Sequence, residues 1–260
     1  MIVENRPSGI ILGEVVAKAP ADGHTLLLTG SSFWLAPYMQ DNVPWDPVRD
    51  FAPITLAASS PNLVVVHPSV PVKSIRELVA LAQANPGTLR YASSGNGSAA
   101  QLAAELFKSM AKVKLLHVPF KGVGPALTDA IAGHVPVCFC TLPTTLPHVR
   151  TARLRALAVT TANRTSAAAD IPTVAESGIP GFDVATWESI QAPAGTPVEA
   201  INWLNTAIRE VVAGNELRQK MINLGFEPDA MKSPAETAQF IRLERQKWAK
   251  LVKERNIKAE

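Results

Sequence analysis

The sequence predicts an α/β fold. From Leu89 to Val159 short apolar segments alternate with segments of helical periodicity. The connections between them are short enough for right-handed parallel crossovers. Three strand-to-helix connections, 93–98, 120–124 and 141–145, consist mainly of small polar residues or glycine. In open α/β sheets ligands sit beyond the carboxyl ends of the strands, where helices begin. Three such loops sharing one edge make a better binding site than any one alone.

The chain in order supports this. Asp22-Gly23 leads into an expected strand at 25–28, and Thr29-Gly30-Ser31-Ser32 is a small polar loop before a short helix at 33–40. Segments 53–57 and 62–66 read as two strands, the second apolar enough to be buried. Ser74 and Glu77 form a capping box for a helix to Ala84, which Asn85-Pro86-Gly87 stops. A strand at 89–92 then enters the loop Ser93-Ser94-Gly95-Asn96-Gly97-Ser98. Ser98 with Gln101 fits a second capping box, opening a helix whose apolar side includes Leu102, Leu106 and Phe107. A helix start of this kind offers unpaired amide donors and partial positive charge, and so suits an anion. The plain alternative is a tight turn that only caps a helix.

A strand at 115–118 precedes the loop Phe120-Lys121-Gly122-Val123-Gly124. Pro125 is placed at the first helical position and Gly133 at the end. A strand at 135–140, a polar loop at 141–145, a short helix at 146–151 and a strand at 154–159 follow. Beyond an aperiodic stretch, 182–192 is extended and Pro193 to Pro197 breaks the chain. Helices are expected at 198–213 and 216–224, and from a capping box at Ser233-Pro234-Ala235-Glu236 to about Val252. The basic residues of that last helix read as a solvated face.

Composition narrows the function. With 260 residues, 47% hydrophobic and 18% charged, the chain buries a sizeable core and is not disordered. A net charge of +3, dispersed, gives no footprint for nucleic acid. The five histidines, His24, His67, His117, His134 and His148, are scattered, so no metal spacing appears and no cofactor is expected. Cys138 and Cys140 lie two apart on one strand face and read as buried thiols. No apolar run is long enough to span a bilayer. Gly95, Gly97 and Ala100 fit G-x-G-x-x-A, but the next strand ends in His117 and Pro119 rather than the acid a dinucleotide needs. An α/β hydrolase using a loop serine is the enzyme alternative; there is no G-x-S-x-G elbow.

Several phrases together resemble one family. They include Ala21-Asp22-Gly23-His24-Thr25-Leu26, Tyr91-Ala92-Ser93-Ser94-Gly95-Asn96-Gly97, His117-Val118-Pro119-Phe120-Lys121-Gly122 and Pro172-Thr173-Val174-Ala175-Glu176. Glu4-Asn5-Arg6-Pro7, Arg155 to Thr160 and Ala192 to Pro197 extend the match over essentially the whole chain. The sequence resembles the substrate-binding proteins of tripartite tricarboxylate transporters, the Bug proteins.

The resemblance implies a two-lobed periplasmic binding protein fold of type II, each lobe a mainly parallel sheet flanked by helices. It places residues 1–69 and 188–260 in lobe one and 70–187 in lobe two. It implies a non-enzymatic, monomeric receptor that captures a small carboxylate between the lobes for membrane permease subunits. Carried over by position, the contacts are Thr29, Ser31 and Ser32; Ser93, Ser94, Gly95, Asn96, Gly97 and Ser98; Phe120, Lys121 and Gly122; Thr141; and Trp187. Ser94, Asn96, Ser98 and the Gly97 amide are the expected carboxylate donors.

Two departures matter. The chain as given begins without a secretion signal, a first strand and the loop after it, and the glycine-rich run after Arg6-Pro7 is shortened to Ser8-Gly9. The resemblance alone therefore carries the periplasmic placement. An open sheet edge is expected in lobe one, and a sensor or interaction protein outside transport is the further alternative. The strand at 135–140 carries no acid, which favours plain carboxylates over amino acids as ligands.

Overall fold

The structure, a computed structural model, describes residues 2–5, 9–228 and 232–258; Arg6, Pro7 and Ser8 lie outside them. The chain divides into two compact units. Unit 1 comprises Met1–Ser59, Trp187–Lys220 and Pro228–Asn256; unit 2 comprises Ser60–Thr186, Met221–Glu227 and Ile257–Glu260.

Strands β1 (Leu27–Gly30), β2 (Phe51–Val66) and β7 (Ala185–Pro193) serve unit 1, with helices α1 (Gly9–Ala17), α2 (Ser31–Met39), α7 (Val198–Ala213) and α9 (Pro234–Arg255). Helix α8 (Asn215–Asn223) leads into the 221–227 segment. β1 pairs antiparallel with β7, Leu27 opposite Gln191 and Gly30 opposite Glu188. β1 ends the strand order, so its outer edge is open among the described residues. Phe33 anchors the core of this unit, stacked on Trp45 at 4.2 Å and edge-to-face with Phe51 at 5.1 Å.

Unit 2 takes the second half of β2, then α3 (Ile75–Ala84), β3 (Arg90–Ser93), α4 (Ala99–Ala111), β4 (Leu116–Pro119), α5 (Val123–Ile131), β5 (Val137–Thr141), α6 (Leu142–Arg150) and β6 (Arg155–Val159). β3 runs parallel to both β4 and β5. β2 is antiparallel to β5 and to β6. Four strands therefore run one way and β2 the other, which makes this sheet mainly parallel, as expected. Leu63, Val65, Ala92, Cys138 and Val159 form its buried centre.

The capping signals translate into geometry. Ser74, Ser98 and Ser233 each accept a hydrogen bond from the amide three residues on. Only Ser233 has the full reciprocal box, Glu236 returning to the Ser233 amide. Glu77 instead takes the Lys73 amide.

Four expectations are corrected. The strands at 53–57 and 62–66 are one strand, because Ser59, Ser60 and Pro61 stay extended. Helix α5 starts at Val123 with Gly122 as its cap, so Pro125 lies within the first turn rather than opening it. The loop at 141–145 does not exist as such. Thr141 caps α6 directly, and the hydroxyls of Thr144 and Thr145 bond back to its carbonyl. Finally, Cys138 and Cys140 are disulfide-bonded, not free thiols. Their Cα atoms are 5.7 Å apart, inside the range a disulfide spans and shorter than two fully extended residues.

Candidate functional site

In unit 2 the parallel strands β3, β4 and β5 end at Ser93, Pro119 and Thr141, so the loops after β3 and β4 and the start of α6 share one edge. The first two loops are bonded together. The Phe120 amide donates to the Ser93 carbonyl at 3.2 Å and the Gly122 amide to the Ser94 carbonyl at 3.1 Å. Gly95 makes this approach possible. Its φ is +132°, and a side chain there would stand 3.0 Å from the Phe120 carbonyl oxygen.

A buried polar network holds the 93–98 loop from beneath. The Gly97 amide donates to Gln101 Oε1 at 2.6 Å, which turns the Gln101 amino group toward His117 Nδ1 at 3.2 Å. His117 Nδ1 must then accept, so the ring proton sits on Nε2 and is donated to Ser93 Oγ at 2.7 Å. Ser93 Oγ completes its set with the Gly95 amide and carbonyl. Burial pushes the His117 pKa down to about 4, with the Glu105 carboxylate opposing and Lys108 reinforcing the shift. The imidazole is thus neutral at ordinary pH. Behind it, Tyr91 and Lys108 both donate to Glu105 Oε1, at 2.9 and 2.6 Å. Burial, then the Glu105 charge, raises the Tyr91 phenol far above its usual range.

The tautomer bears on chemistry. A serine nucleophile needs a base that accepts its proton. His117 points an N–H at Ser93, its other nitrogen is committed to Gln101, and Ser93 is fully buried. The pair is a structural clamp.

Each expected contact can now be located. Gly97 has given its amide to Gln101. Ser98 spends its hydroxyl on the Gly95 carbonyl at 2.7 Å and on the Gln101 amide. The Ser94 hydroxyl has no partner among the described residues, and Ser94 and Asn96 are both half-buried. The first-turn amides of Ala99 and Ala100 have no intrahelical acceptor. Phe120, Gly122 and Thr141 are partly exposed on the same edge, and Lys121 is exposed.

In unit 1, Thr29 and Ser31 are buried and Ser32 is exposed. Thr29 Oγ1 accepts from Gln191 Nε2 at 2.8 Å, and Ser189 Oγ accepts from Trp34 Nε1 at 2.9 Å. Thr29 is therefore part of a core network. Trp187 is 2% exposed and packs edge-to-face on Phe240 within unit 1, its indole N–H buried without a partner. It is core rather than wall. A cavity of about 500 Å³ in unit 2, lined by Pro68, Leu154, Arg155, Asp170 and Pro172 among others, includes none of the expected contacts.

Sequence reading missed the clamp and Glu188. Gln101 and His117 were visible, one as a cap partner and the other as the residue that denied a nucleotide. Only the β3–β4 pairing of Tyr91 with His117 brings them together. Among the described residues no cluster of His, Cys, Asp or Glu could hold a metal, and no helix is long and apolar enough to cross a membrane.

Comparison with known proteins supplies the context. The model of the tripartite tricarboxylate transporter family receptor matches residues 1–257. Protein BugT of Bordetella pertussis is 33% identical over 262 residues, covering 99% of this chain and 80% of that protein. The structure of R. palustris Rpa4515 with adipate superimposes with a TM-score of 0.90 at 35% identity, over 99% of this chain and 87% of that one. MatC from Rhodopseudomonas palustris with bound malate gives 0.82 at 28% identity, over 94% and 85%.

Proposed function

Because the chain belongs to the tripartite tricarboxylate transporter receptor family, a family of solute-binding receptors and not enzymes, we propose that it captures a small dicarboxylate in the periplasm. It then delivers that solute, as a monomer, to the membrane permease subunits of such a transporter. The observation that carries the reading is the shared edge of unit 2. There the open Ser94 hydroxyl and the first-turn amides of α4 and α5 stand beside half-buried Asn96 and Phe120. Amide donors at helix starts hold a carboxylate without a buried cation. Ser93, Gly95, Gly97, Ser98 and Gly122 shape the loops, while Lys121 and Thr141 border them. Thr29, Ser31, Ser32 and Trp187 belong to unit 1; of these, Ser32 is the exposed side chain available to a solute.

Two relatives support the ligand class, one solved with adipate and the other with malate. The test is a thermal shift of this chain against mono-, di- and tricarboxylates, adipate and malate included. At a hundred times its dissociation constant a ligand adds about 2.7 kcal/mol, a rise of roughly 5–10 °C for a chain of this size. The expected result is a selective rise with dicarboxylates. A cooperative melt that no carboxylate moves would sink the proposal.

A further inference from the structure

Glu188 lies opposite Gly30 in the β1–β7 pairing, at the point where β1 passes into α2. Its carboxyl rests on the open face of that glycine. A β-carbon at Gly30 would meet the two carboxyl oxygens at 3.1 and 3.2 Å. The residue is half-buried, and its side chain makes no hydrogen bond or ion pair with any described residue. The start of α2, capped by Gly30, is the one favourable dipole beside it, and no charged side chain pairs with it among the described residues. β1 and β2 carry no titratable side chain and α2 carries only Tyr38, over which Arg245 stacks at 5.3 Å. Near the Trp187–Phe240 contact stand Lys232, whose Nζ lies 6.0 Å over the Phe240 ring, and the α9 residues Glu236, Arg242 and Glu244, but burial alone acts on the Glu188 carboxyl, raising its pKa to about 7.

An acid paired with no cation, at the β1–α2 junction where a carboxylate is expected, poses a charge conflict. Two carboxylates sharing a site do not both ionise. We propose that Glu188 reads the solute for unit 1: when a carboxylate docks at the start of α2, beside Gly30 and Ser32, Glu188 takes a proton from solvent and donates the resulting O–H to it. This rests on the carboxylate-receptor reading and deepens it. Capture becomes coupled to one proton, and an acidic periplasm favours it.

The experiment is calorimetric titration of the whole chain with adipate at pH 6.5 and 8.5, in buffers of different ionisation enthalpy, for wild type and Glu188→Gln. Glutamine mimics the protonated acid and keeps its donor. For wild type, up to one proton is taken up per site at pH 8.5, and affinity falls roughly twentyfold between pH 6.5 and 8.5. Glu188→Gln binds at pH 8.5 as tightly as wild type does at pH 6.5, with no proton uptake. Equal pH dependence in both proteins overturns the role of Glu188 and leaves carboxylate capture standing. Loss of binding in Glu188→Gln at both pH values, with its cooperative melt intact, overturns it too, since the ionised form would then be the one required. If neither protein binds adipate or any other carboxylate, the receptor reading itself falls.

Discussion

Single residues in unit 2 divide into those that shape the 93–98 loop and those that face outward from it. Gln101 is the central shaping residue, since it satisfies both the Gly97 amide and His117 Nδ1. Gln101→Leu leaves both groups buried without partners, and each such group costs about 1–3 kcal/mol. Urea unfolding of that variant is expected to show a lower midpoint with an unchanged slope. Gly95→Ala forces a left-handed backbone on a side chain that also meets the Phe120 carbonyl, and a loss of about 1–3 kcal/mol is expected in the same measurement. Ser94→Ala behaves differently. Its hydroxyl bonds to none of the described residues, so the melting temperature without ligand stays put while affinity for a carboxylate drops by about 0.5–1.5 kcal/mol. A Ser94→Ala protein that melted early yet bound normally would reverse these roles.

At the scale of elements, the sequence was most readable where a local signal decides the structure. Ser74, Ser98 and Ser233 cap the helices their spacing predicts, and α7 runs over the residues that its apolar face predicts. Ser233→Ala removes the side-chain acceptor of the full capping box and should cost about 1 kcal/mol by the same unfolding assay. Reading failed where tertiary context decides. Segments 53–57 and 62–66 read as two strands, but one strand continues through Pro61 because extended backbone suits proline. The threonines at 141–145 suggested a loop, but Thr144 and Thr145 satisfy their hydroxyls on the Thr141 carbonyl and stay helical. Helix α1 (Gly9–Ala17) was not foreseen. Of the candidate site, the unit 2 loops were legible from composition. The burial of Thr29 and Trp187, and the commitment of the Gly97 amide, were not, because each depends on a partner distant in sequence or on the direction of one side chain.

For the molecule as a whole, two half-buried titrating groups tie stability to pH in opposite senses. His117 has its folded pKa depressed to about 4 from an ordinary 6.5. Its neutral form is the stable one, so its contribution is full above about pH 6.5 and is lost as the pH falls through 4. Glu188 has its folded pKa raised from 4.5 to about 7. Its contribution is full below about 4.5 and is lost as the pH rises through 7. Melting curves between about pH 4 and 8 for wild type, His117→Gln and Glu188→Gln separate the two. His117→Gln should flatten the acid limb, and Glu188→Gln the neutral-to-alkaline limb. Limbs of unchanged steepness in both variants would mean that neither group is desolvated as the structure has it.

The clamp beneath the 93–98 loop also bears on how such a receptor diverges. Gln101, His117 and Ser93 fix the loop's shape through hydrogen bonds beneath it, while Ser94 and Asn96 remain partly exposed. Selection for a new nutrient can therefore act on the outer positions and leave the fold of the loop intact. Sister receptors with different diets would be expected to share the concealed triplet and to vary at the two outward side chains.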